Sequence, residues 1–580
     1  MALLRRLAIT TPSNVRVLSS SPNRIRDELD LNFNSPKDAF KSKKTSELVR
    51  AYLVYQICSV NWVVENNDML MKRLRQVVGK KIFEAIMKAT FYGQFVAGED
   101  PVKIRPTVER LRSFGVKSIL DYSVEEDLSQ EEAEKREVSA STSSCGDKKE
   151  EGSLKQFTVE KKFADRRYKV NSARTYFYIN EASCEKNLEA FLVSIDAVAN
   201  VTKSTGLMAV KLTALGRPQL LLQLSEVIMR ARNYMQQMGG GTGNVLTHHK
   251  TIEDFQRYFG DNKNKPEVQE FLNKITSDKE GIVHLFPWSN ILDKDMNLSD
   301  SFRVPDPKTG QMRRLISQIS PKEEEMFRNM LRRLNHIIQV ANEKDVRIMI
   351  DAEQTYFQPA ISRICLEMMR RYNKDKFLVF NTYQTYLKNT YNEIVTDLEQ
   401  AQRQNFYWGA KCVRGAYIEQ ERARAAAMGY EDPTCENVDA TTASYHKCLK
   451  EILSRAKTGP NQGRVGIMVA SHNENTVRYA IQLMKEHGIK PDDKVVCFGQ
   501  LLGMCDHITF PLGQAGYSAY KYVPYGPVVE VLPYLSRRAN ENRGFLVKIK
   551  KEKGLLLKEI FRRIFSGQMF YKPDGKYTPV

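Results

Sequence analysis

A short segment near the end of the chain carries side chains whose types and spacing suit anion binding. Arg537 and Arg538 follow Tyr534 by three and four residues. Glu541 follows the same two arginines by four and three residues. Residues with these spacings share one face of a helix, so a phenol, two guanidinium groups and a carboxylate converge on one patch. Adjacent arginines held by an acid form a fork for a carboxylate or phosphate, and a surface ion pair is the alternative for this segment alone.

Apolar segments that alternate with helical stretches from about residue 165 onward predict the scaffold for such a site. The strand candidates are 207–213, 347–353, 377–382, 407–414, 465–470, 495–498 and 520–523. Near-continuous apolar strands separated by helices indicate a parallel sheet that is buried on both faces. We therefore predict an α/β fold, a distorted (βα)8 TIM-type barrel with an N-terminal helical region and insertions. A doubly wound sheet is the alternative.

Polar residues recur at the ends of the predicted strands. They are Lys211, Asp351, Glu353, Asn381, Arg414, His472, Asn473 and Gln500. In a barrel these strand ends meet at one face, where the loops build the active site. The recurrence of polar residues at successive strand ends therefore predicts an enzyme.

Composition divides the chain into further regions. Arg5, Arg6 and Arg16 lie in a serine-rich start with no acid before Asp27, so residues 1–40 are predicted to be a mitochondrial transit peptide and linker. Residues 45–125 are predicted to be helical, 126–160 to be a disordered acidic and serine-rich linker, and 165–545 to be the barrel, with an insert at about 245–320. Residues 546–580 form a basic amphipathic tail, suited either to an anionic membrane surface or to packing on the domain.

Several classes of protein are disfavoured. The net charge of +19 comes without the aromatic-basic motifs of nucleic-acid-binding modules. No apolar run reaches 18 residues, so no transmembrane helix is expected. Nine scattered cysteines without a CxxC pair predict reduced thiols and no metal site. The glycine-rich loop at 239–243 lacks the last glycine of a dinucleotide fingerprint.

Five motifs carry a family resemblance. They are MIDAE at 349–353, KCVRGAY at 411–417, VASHN at 469–473, FGQLLGM at 498–504 and YLSRRANEN at 534–542. In these motifs, and in their order, the chain resembles the animal-type mitochondrial proline dehydrogenases (proline oxidases). The resemblance implies a barrel that holds FAD at its C-terminal face and oxidises L-proline to Δ1-pyrroline-5-carboxylate, the first step of proline catabolism. It also implies hydride transfer to flavin N5 and electron transfer to ubiquinone at the matrix surface of the inner mitochondrial membrane; a homo-oligomer is left open.

The resemblance further implies a substrate site. The matching positions are Lys211, Leu501, Tyr522, Tyr534, Arg537, Arg538 and Glu541. The paired arginines would grip the substrate carboxylate, Glu541 would orient them, and Lys211 would pair with this acid. Asp351 matches an active-site acid near the substrate nitrogen, with a helix N-cap as its alternative. Lys211, Asp351 and Lys411 are the catalytic candidates.

Another set of positions matches the family's flavin contacts. These are Ala352, Asn381, Lys411, Arg414, Gly415, Ala416, Thr441, Ser471, His472, Asn473 and Gln500. Glycine at position 415 would let the backbone approach the cofactor closely. Lys411 stands where bacterial members carry arginine, and Asn381 stands where they carry glutamine. Lysine offers a point charge in place of a planar fork, so redox tuning by this contact differs.

Two alternative functions remain at this stage. A hydroxyproline dehydrogenase of the same family must fit an extra hydroxyl group, and Tyr522 resembles the proline enzymes, because the hydroxyproline branch carries a small residue there. An inactive, membrane-associated binding relative is the other alternative, and the intact set of candidate site residues disfavours it.

Overall fold

The computed structural model describes residues 25–123, 130–142, 154–163, 165–167, 170, 175–203, 205–239, 256–277, 283–284, 286, 291–292, 298–315, 319–457, 462–544 and 546–580. Eight parallel strands close into one barrel in the order β1 to β8, with β8 paired to β1. The strands are β1 Val116–Tyr122, β2 Leu207–Val210, β3 Arg347–Ile350, β4 Val379–Gln384, β5 Trp408–Val413, β6 Val465–Ala470, β7 Val496–Leu501 and β8 Ser518–Tyr525. The predicted barrel is confirmed.

Helices surround the barrel and extend beyond both ends of the predicted domain. Those of the N-terminal half are α1 Pro36–Phe40, α2 Thr45–Cys58, α3 Asn61–Glu65, α4 Asn67–Ala89, α5 Phe91–Phe95, α6 Pro101–Ser113, α7 Gln130–Ser141, α8 Glu181–Thr202, α9 Pro218–Gly239, α10 Pro266–Lys274 and α11 Leu298–Ser301. The later helices are α12 Pro321–Glu343, α13 Gln358–Tyr372, α14 Thr390–Arg403, α15 Ile418–Met428, α16 Val438–Lys457, α17 Glu474–Glu486, α18 Asp506–Gln514, α19 Leu532–Gly544 and α20 Leu546–Phe565.

Alternation along the strands decides which side chains face the barrel interior. Met349 and Phe380 belong to a cluster inside the barrel. Ile348 and Val379, their neighbours in sequence, belong to the core between the strands and the helices. Because successive residues of a strand point to opposite faces, every second residue at a strand's carboxyl end faces the axis.

The first barrel strand corrects a predicted boundary. Val116–Tyr122 lies within 45–125, which was expected to be helical, and upstream of residue 165, where the barrel was expected to begin. Lys117, Ser118 and Asp121 interrupt the apolar run of this strand, so the hydrophobic pattern did not predict it. The ammonium group of buried Lys117 donates to Ser518 Oγ at 2.7 Å and to the backbone oxygen of Val580. These partners satisfy a charge that the hydrophobic pattern alone would not place in a barrel strand.

Two other predicted regions are more ordered than expected. Within 1–40, residues 1–24 lie outside the described residues, but Phe33 and Phe40 are buried and Arg26 pairs with Asp492 at 2.7 Å. Within 126–160, α7 forms because Glu137 is buried and its carboxylate pairs with Arg166 at 2.9 Å. A composition that is typical of disorder therefore yields a packed helix where one buried ion pair fixes it.

The tail also packs on the domain, which is one of its two predicted arrangements. Leu555 and Leu556 of α20 are buried with the N-terminal helices. Glu552 accepts hydrogen bonds from the backbone N–H groups of Cys505 at 3.0 Å and Asp506 at 3.2 Å. These contacts fix α20 against the start of α18.

The N-terminal helices cover the loops that follow the last two strands. The Tyr55 hydroxyl donates to Gly503 O at 2.6 Å, and Gln94 Nε2 donates to the same oxygen at 2.8 Å. The Tyr92 hydroxyl donates to Gly526 O at 2.9 Å. Because these loops lead into α18 and α19, the N-terminal region holds in place the helix that carries the paired arginines.

The predicted insert at 245–320 is described only in part. It contains α10, α11 and two short antiparallel ribbons, Thr276–Ser277 with Val283–His284 and Arg303–Pro305 with Met312–Arg314. The glycine-rich loop at 240–243 lies outside the described residues.

Candidate active site

A cavity of about 550 Å³ opens at the carboxyl ends of the barrel strands. Sixteen of the predicted site residues line it: Lys211, Asp351, Ala352, Lys411, Arg414, Gly415, Ala416, Thr441, Ser471, His472, Gln500, Leu501, Tyr522, Tyr534, Arg537 and Arg538. Its size is within the range of small-molecule and cofactor sites in proteins. The barrel thus brings together side chains that are more than 300 residues apart in sequence.

Helix α19 carries the two arginines on the cavity wall. The guanidinium carbon of Arg538 lies 5.0 Å from the centroid of the Tyr534 ring, and that of Arg537 lies 6.0 Å from it. Arg538 is 3% exposed and Tyr534 is 4% exposed. The predicted helical spacing therefore does place the phenol and both guanidinium groups together, in a setting with little water to screen their charge.

An ion pair crosses the floor of the cavity. Lys411 projects from β5, and its ammonium group contacts the carboxylate of Asp351, which directly follows β3. Both side chains are less than one-fifth exposed. Asp351 makes no N-cap, since α13 begins seven residues later, so the N-cap alternative is wrong. The pair presents one positive and one negative group side by side to any molecule in the cavity.

Lys211 and Tyr417 form a second polar pair next to this ion pair. The Lys211 ammonium lies 3.4 Å from both the Tyr417 hydroxyl and the backbone oxygen of Ala352. Burial, followed by the nearby carboxylates of Glu353 and Asp351, holds the pKa of Tyr417 well above its usual value. The phenol therefore keeps its proton across the physiological pH range.

The opposite wall is lined by the loop after β5 and by α16. Arg414 donates to Thr442 Oγ1 at 2.7 Å and to Thr476 Oγ1 at 3.3 Å. Gly415 is crowded, because a Cβ atom there would lie 2.1 Å from Ile418 Cδ1. Thr441 Oγ1 donates to Asn437 O at 2.9 Å. This wall offers a cation, a hydroxyl group and a close-lying backbone.

The ends of β6 and β7 supply amide and imidazole groups. Gln500 is buried, and its Nε2 donates to Ser471 O at 3.2 Å while its Oε1 accepts from Thr509 Oγ1 at 2.9 Å. His472 Nε2 accepts the backbone N–H of Leu501 at 3.1 Å. Because this nitrogen accepts a hydrogen bond, the ring proton is assigned to Nδ1.

Two of the remaining predicted residues do not line the cavity, and the side chain of a third is not among those described. Asn381 is an outward-facing residue of β4 and donates to Ser362 Oγ of α13 at 3.3 Å, so its assignment as a cofactor residue is corrected. Asn473 is the N-cap of α17, where its Oδ1 accepts Thr476 N–H at 3.2 Å. The side chain of Glu541 lies outside the described residues, so its pairing with Lys211 stays a prediction.

Other residues that line the cavity are not among the predicted site residues. Thr382 and Gln384, one and three residues after Asn381 on β4, point to the opposite face of the strand and line the cavity. Gln384 Nε2 donates to Glu353 O at 2.8 Å. The two-residue period of a strand could have identified them. Phe380 faces the barrel interior, so residues two and four positions later in the same strand face the same way. Tyr417 also lines the cavity; it is the last residue of the KCVRGAY motif, for which no role of the tyrosine was predicted.

A buried network of charged residues contacts the loops that follow β2 and β3. Glu353 accepts from Thr213 Oγ1 at 2.6 Å, and its other oxygen pairs with Arg166 at 3.1 Å. Arg166, which is 1% exposed, also pairs with Glu137 of α7. The segment predicted to be a linker therefore fixes the loop that carries Asp351.

Some classes of site and anchor are not found in the part of the chain that the structure describes. That part contains no helix long and apolar enough to cross a bilayer. It also contains no group of three or more His, Cys, Asp or Glu side chains arranged to hold a metal ion.

The fold and the site define a βα-barrel enzyme with a cation-lined cavity at the carboxyl ends of its strands. The family described as proline dehydrogenase matches residues 104–551, more than half of the chain. The chain therefore belongs to the proline dehydrogenase family.

Individual relatives agree with this assignment. The chain is 67% identical to proline dehydrogenase 1, mitochondrial, of Drosophila melanogaster, over 96% of this chain and 84% of that protein. It is 32% identical to hydroxyproline dehydrogenase of Xenopus laevis, over 91% of this chain and 89% of that protein. Among solved structures, proline utilization A from Bdellovibrio bacteriovorus, inactivated by N-propargylglycine, shares the fold at 14% identity with a TM-score of 0.50. That match covers 95% of this chain and 45% of the bacterial chain.

Proposed function

We propose that this protein oxidises L-proline to Δ1-pyrroline-5-carboxylate with FAD as its cofactor, as the first step of proline catabolism. The substrate loses a hydride from the ring carbon beside nitrogen and a proton from the nitrogen itself. The two electrons then pass to a membrane quinone, which takes up two protons and leaves as the quinol. Bound FAD supplies the hydride acceptor, at flavin N5.

The observation that carries this proposal is the position of Arg537 and Arg538 on the cavity wall. Two guanidinium groups in a largely dry site suit a single carboxylate, and charge-assisted bidentate contacts fix its orientation. Tyr534 and Leu501 line the same cavity and offer apolar surface to a five-membered ring. Together these residues would hold the reacting carbon in one pose.

The polar pairs on the cavity floor have a complementary role in this proposal. The amine must be neutral for its lone pair to assist departure of hydride. The ion pair with Lys411 reduces the field that Asp351 exerts on the substrate nitrogen, so the carboxylate does not hold that nitrogen in its charged form. Lys211, which lies beside protonated Tyr417, adds positive charge close to the substrate site.

The donor groups of the opposite wall fit FAD. A dinucleotide cofactor needs cations for its phosphates, hydroxyl and amide groups for its ribityl and ring atoms, and a backbone that permits close approach. Arg414, Thr441, Ser471 and Gln500 offer these groups, and Gly415 provides the close backbone. Lys411 places a positive charge on the floor, where it would stabilise a reduced, electron-rich ring.

The cellular setting is part of the proposal. The names of relatives such as the Drosophila protein support a mitochondrial location. Because residues 25–40 pack on the barrel, we now propose 1–24 as the targeting segment. We place the membrane contact on the exposed apolar side chains of α20 and α2, Phe561, Phe565 and Leu53 among them, at the inner-membrane surface that faces the matrix.

Hydroxyproline dehydrogenase is the second candidate function. It is favoured by family membership but opposed by Tyr522, whose side chain lines the cavity and occupies space that an added hydroxyl group would need. The third candidate, an inactive binding relative, is opposed by the candidate polar groups that line the cavity, Lys211, Asp351, Lys411, Arg537 and Arg538 among them.

Anaerobic bleaching of the flavin tests the proposal. Purified protein without residues 1–24 is mixed with L-proline or with trans-4-hydroxy-L-proline, and flavin absorbance is followed. Rapid bleaching by proline alone is the expected result. Preference for hydroxyproline would move the enzyme to the second candidate, and absence of bound flavin or of any bleaching would overturn the proposal.

A further inference from the structure

A second cavity, of about 220 Å³, lies away from the barrel axis, between the N-terminal helices and α19. Its walls come from α2, α3, α4 and α5 on one side and from α19 on the other. Val64, Leu70, Leu74, Met87 and Leu535 are typical of its lining. No residue of this cavity lines the active-site cavity.

The polar groups of the second cavity are bonded within its wall. Ser536 Oγ donates to Asn67 Oδ1 at 2.5 Å, and Asn67 Nδ2 donates to Val64 O at 2.6 Å. Thr90 Oγ1 donates to Ile86 O at 2.7 Å. The remaining lining side chains are aliphatic, aromatic or sulfur-containing. A polar ligand would lose its hydrogen bonds to water on entry and regain few, whereas a hydrocarbon would lose none.

The cavity borders an exposed apolar surface. Ile57 and Ile86 line it and are still 37% and 36% exposed. Along α2, Ile57 continues a stripe formed by Val49 and Leu53, each four residues from the next and all exposed. Exposed Val60 follows just beyond the end of the helix. An exposed apolar stripe that leads into an apolar cavity indicates an occupant that arrives from a lipid phase.

One helix is shared between the two cavities. Leu535, Ser536 and Ala539 of α19 line the second cavity, while Tyr534, Arg537 and Arg538 of the same helix line the active site. An occupant of the second cavity is therefore separated from the paired arginines by one helix thickness, roughly 10 Å.

We propose that the second cavity binds the hydrocarbon chain of the lipid-soluble quinone that accepts the electrons. The inference rests on the proposed function, because it names the site at which that acceptor is held by its chain. The cavity recognises the chain, not the head group, so alkyl and prenyl chains of similar length bind alike. Burial of each methylene contributes about 0.8 kcal/mol, which is about a fourfold change in affinity.

The test uses a series of quinones with one head group and chains of increasing length, in buffer free of detergent. In the unaltered enzyme the quinone KM should fall about fourfold per added methylene until the cavity is full. Leu74→Trp places an indole at the lining of the cavity and should flatten this dependence. It should raise the KM of the long-chain quinone at least tenfold and leave that of the chainless quinone unchanged.

Val77→Trp is the matched control, because Val77 lies one turn along the same helix, is 84% exposed and does not line the cavity. It should keep the full chain-length dependence. An unchanged dependence in Leu74→Trp, or the same loss in both variants, would overturn the proposal. If Leu74→Trp fails to fold, competition in the unaltered enzyme decides: a straight-chain alcohol should raise the KM of the long-chain quinone only, and no competition would overturn the proposal.

Anaerobic bleaching of the flavin by proline distinguishes failure of this inference from failure of the proposed function on which it rests. Failure to bleach would remove the proposed function itself. Normal bleaching combined with no chain-length dependence would leave the function standing and remove only the chain site.

Discussion

The guanidinium group of Arg538 stacks against the ring of Tyr534, one turn earlier on α19, with 5.0 Å between the guanidinium carbon and the ring centroid. At this distance the ring and the guanidinium group make a cation–π contact. Since both side chains are nearly fully buried, the arginine's orientation is set before any substrate binds.

Replacement of Arg538 by methionine should raise the KM for proline roughly tenfold to a hundredfold, the loss expected for hydrogen bonds to a charged group. The flavin content should stay unchanged, since methionine replaces the unbranched stem of the arginine and removes only the guanidinium end. Steady-state kinetics and the flavin-to-protein absorbance ratio measure the two effects. Arg75→Met on the exposed face of α4 is the control, and an unchanged KM in Arg538→Met would refute the carboxylate-binding role.

Loss of the Lys411 ammonium should slow flavin reduction. In Lys411→Met we expect the rate of anaerobic bleaching to fall at least tenfold, because the charge that stabilises the reduced ring is gone and Asp351 loses its partner. Lys411→Arg should recover much of the rate. Stopped-flow absorbance measures this step directly, and equal rates in Lys411→Met and the unaltered enzyme would contradict the expectation.

Replacement of Tyr522 by serine should shift substrate preference. The vacated space lies on the cavity wall and admits an added hydroxyl group, so the ratio of kcat/KM for proline to that for trans-4-hydroxy-L-proline should fall at least tenfold. Tyr522→Phe keeps the volume of the ring and should keep the preference. A ratio that stays constant in Tyr522→Ser would show that another residue excludes the hydroxyl group.

A buried ion pair makes stability depend on pH at acidic values. Asp506 pairs with Lys521, which is 0% exposed, at 2.9 Å, and with Lys43 at 2.5 Å. Although burial opposes its charge, these two lysines lower the pKa of Asp506 to about 2. Its pKa when unfolded is about 3.9, so the pair stabilises the fold fully above that pH, and the contribution is lost as the pH falls towards 2.

Replacement of Asp506 by asparagine should therefore lower the free energy of unfolding at pH 7 by about 3–5 kcal/mol, since two lysines lose their buried partner. Between pH 4 and pH 2 the Tm of the variant should fall less steeply than that of the unaltered protein. Asp345→Asn, which removes a largely exposed pair with Lys376, should cost less than about 1 kcal/mol. A similar effect in both variants, measured by denaturant unfolding, would contradict this account.

Removal of residues beyond 550 should unfold the protein, because most of α20 packs on the domain. The deletion removes the carboxylate of Glu552 and the buried side chains of Leu555 and Leu556. Membrane contact is better tested by the double change Phe561→Asp and Phe565→Asp, at exposed positions. It should weaken binding to vesicles containing anionic lipid at least tenfold in a sedimentation assay, whereas Val193→Asp on α8 should not.

Much of the fold could be predicted from the sequence because seven of the eight barrel strands lie in apolar segments that alternate with helical stretches. The strand that the pattern did not predict, Val116–Tyr122, contains a lysine whose partners are a serine 401 residues away and Val580. Asn381 was assigned to the cofactor site by the family resemblance, although strand parity points its side chain outward. The amphipathic pattern of the tail leaves two arrangements open, because Leu556 and Phe565 are both apolar and differ only in burial, which the sequence does not specify.

The closure of the barrel joins its earliest strand to its last: Val116 pairs with Ala519, 403 residues further along the chain. A synthesising ribosome or an import channel releases the partner of the first strand only after nearly the whole polypeptide has passed. Until then the edges of the sheet remain open, and each open edge can pair with another chain. Closure of this barrel therefore has to wait for its most distant pairing, and contacts so far apart in sequence form more slowly than local ones.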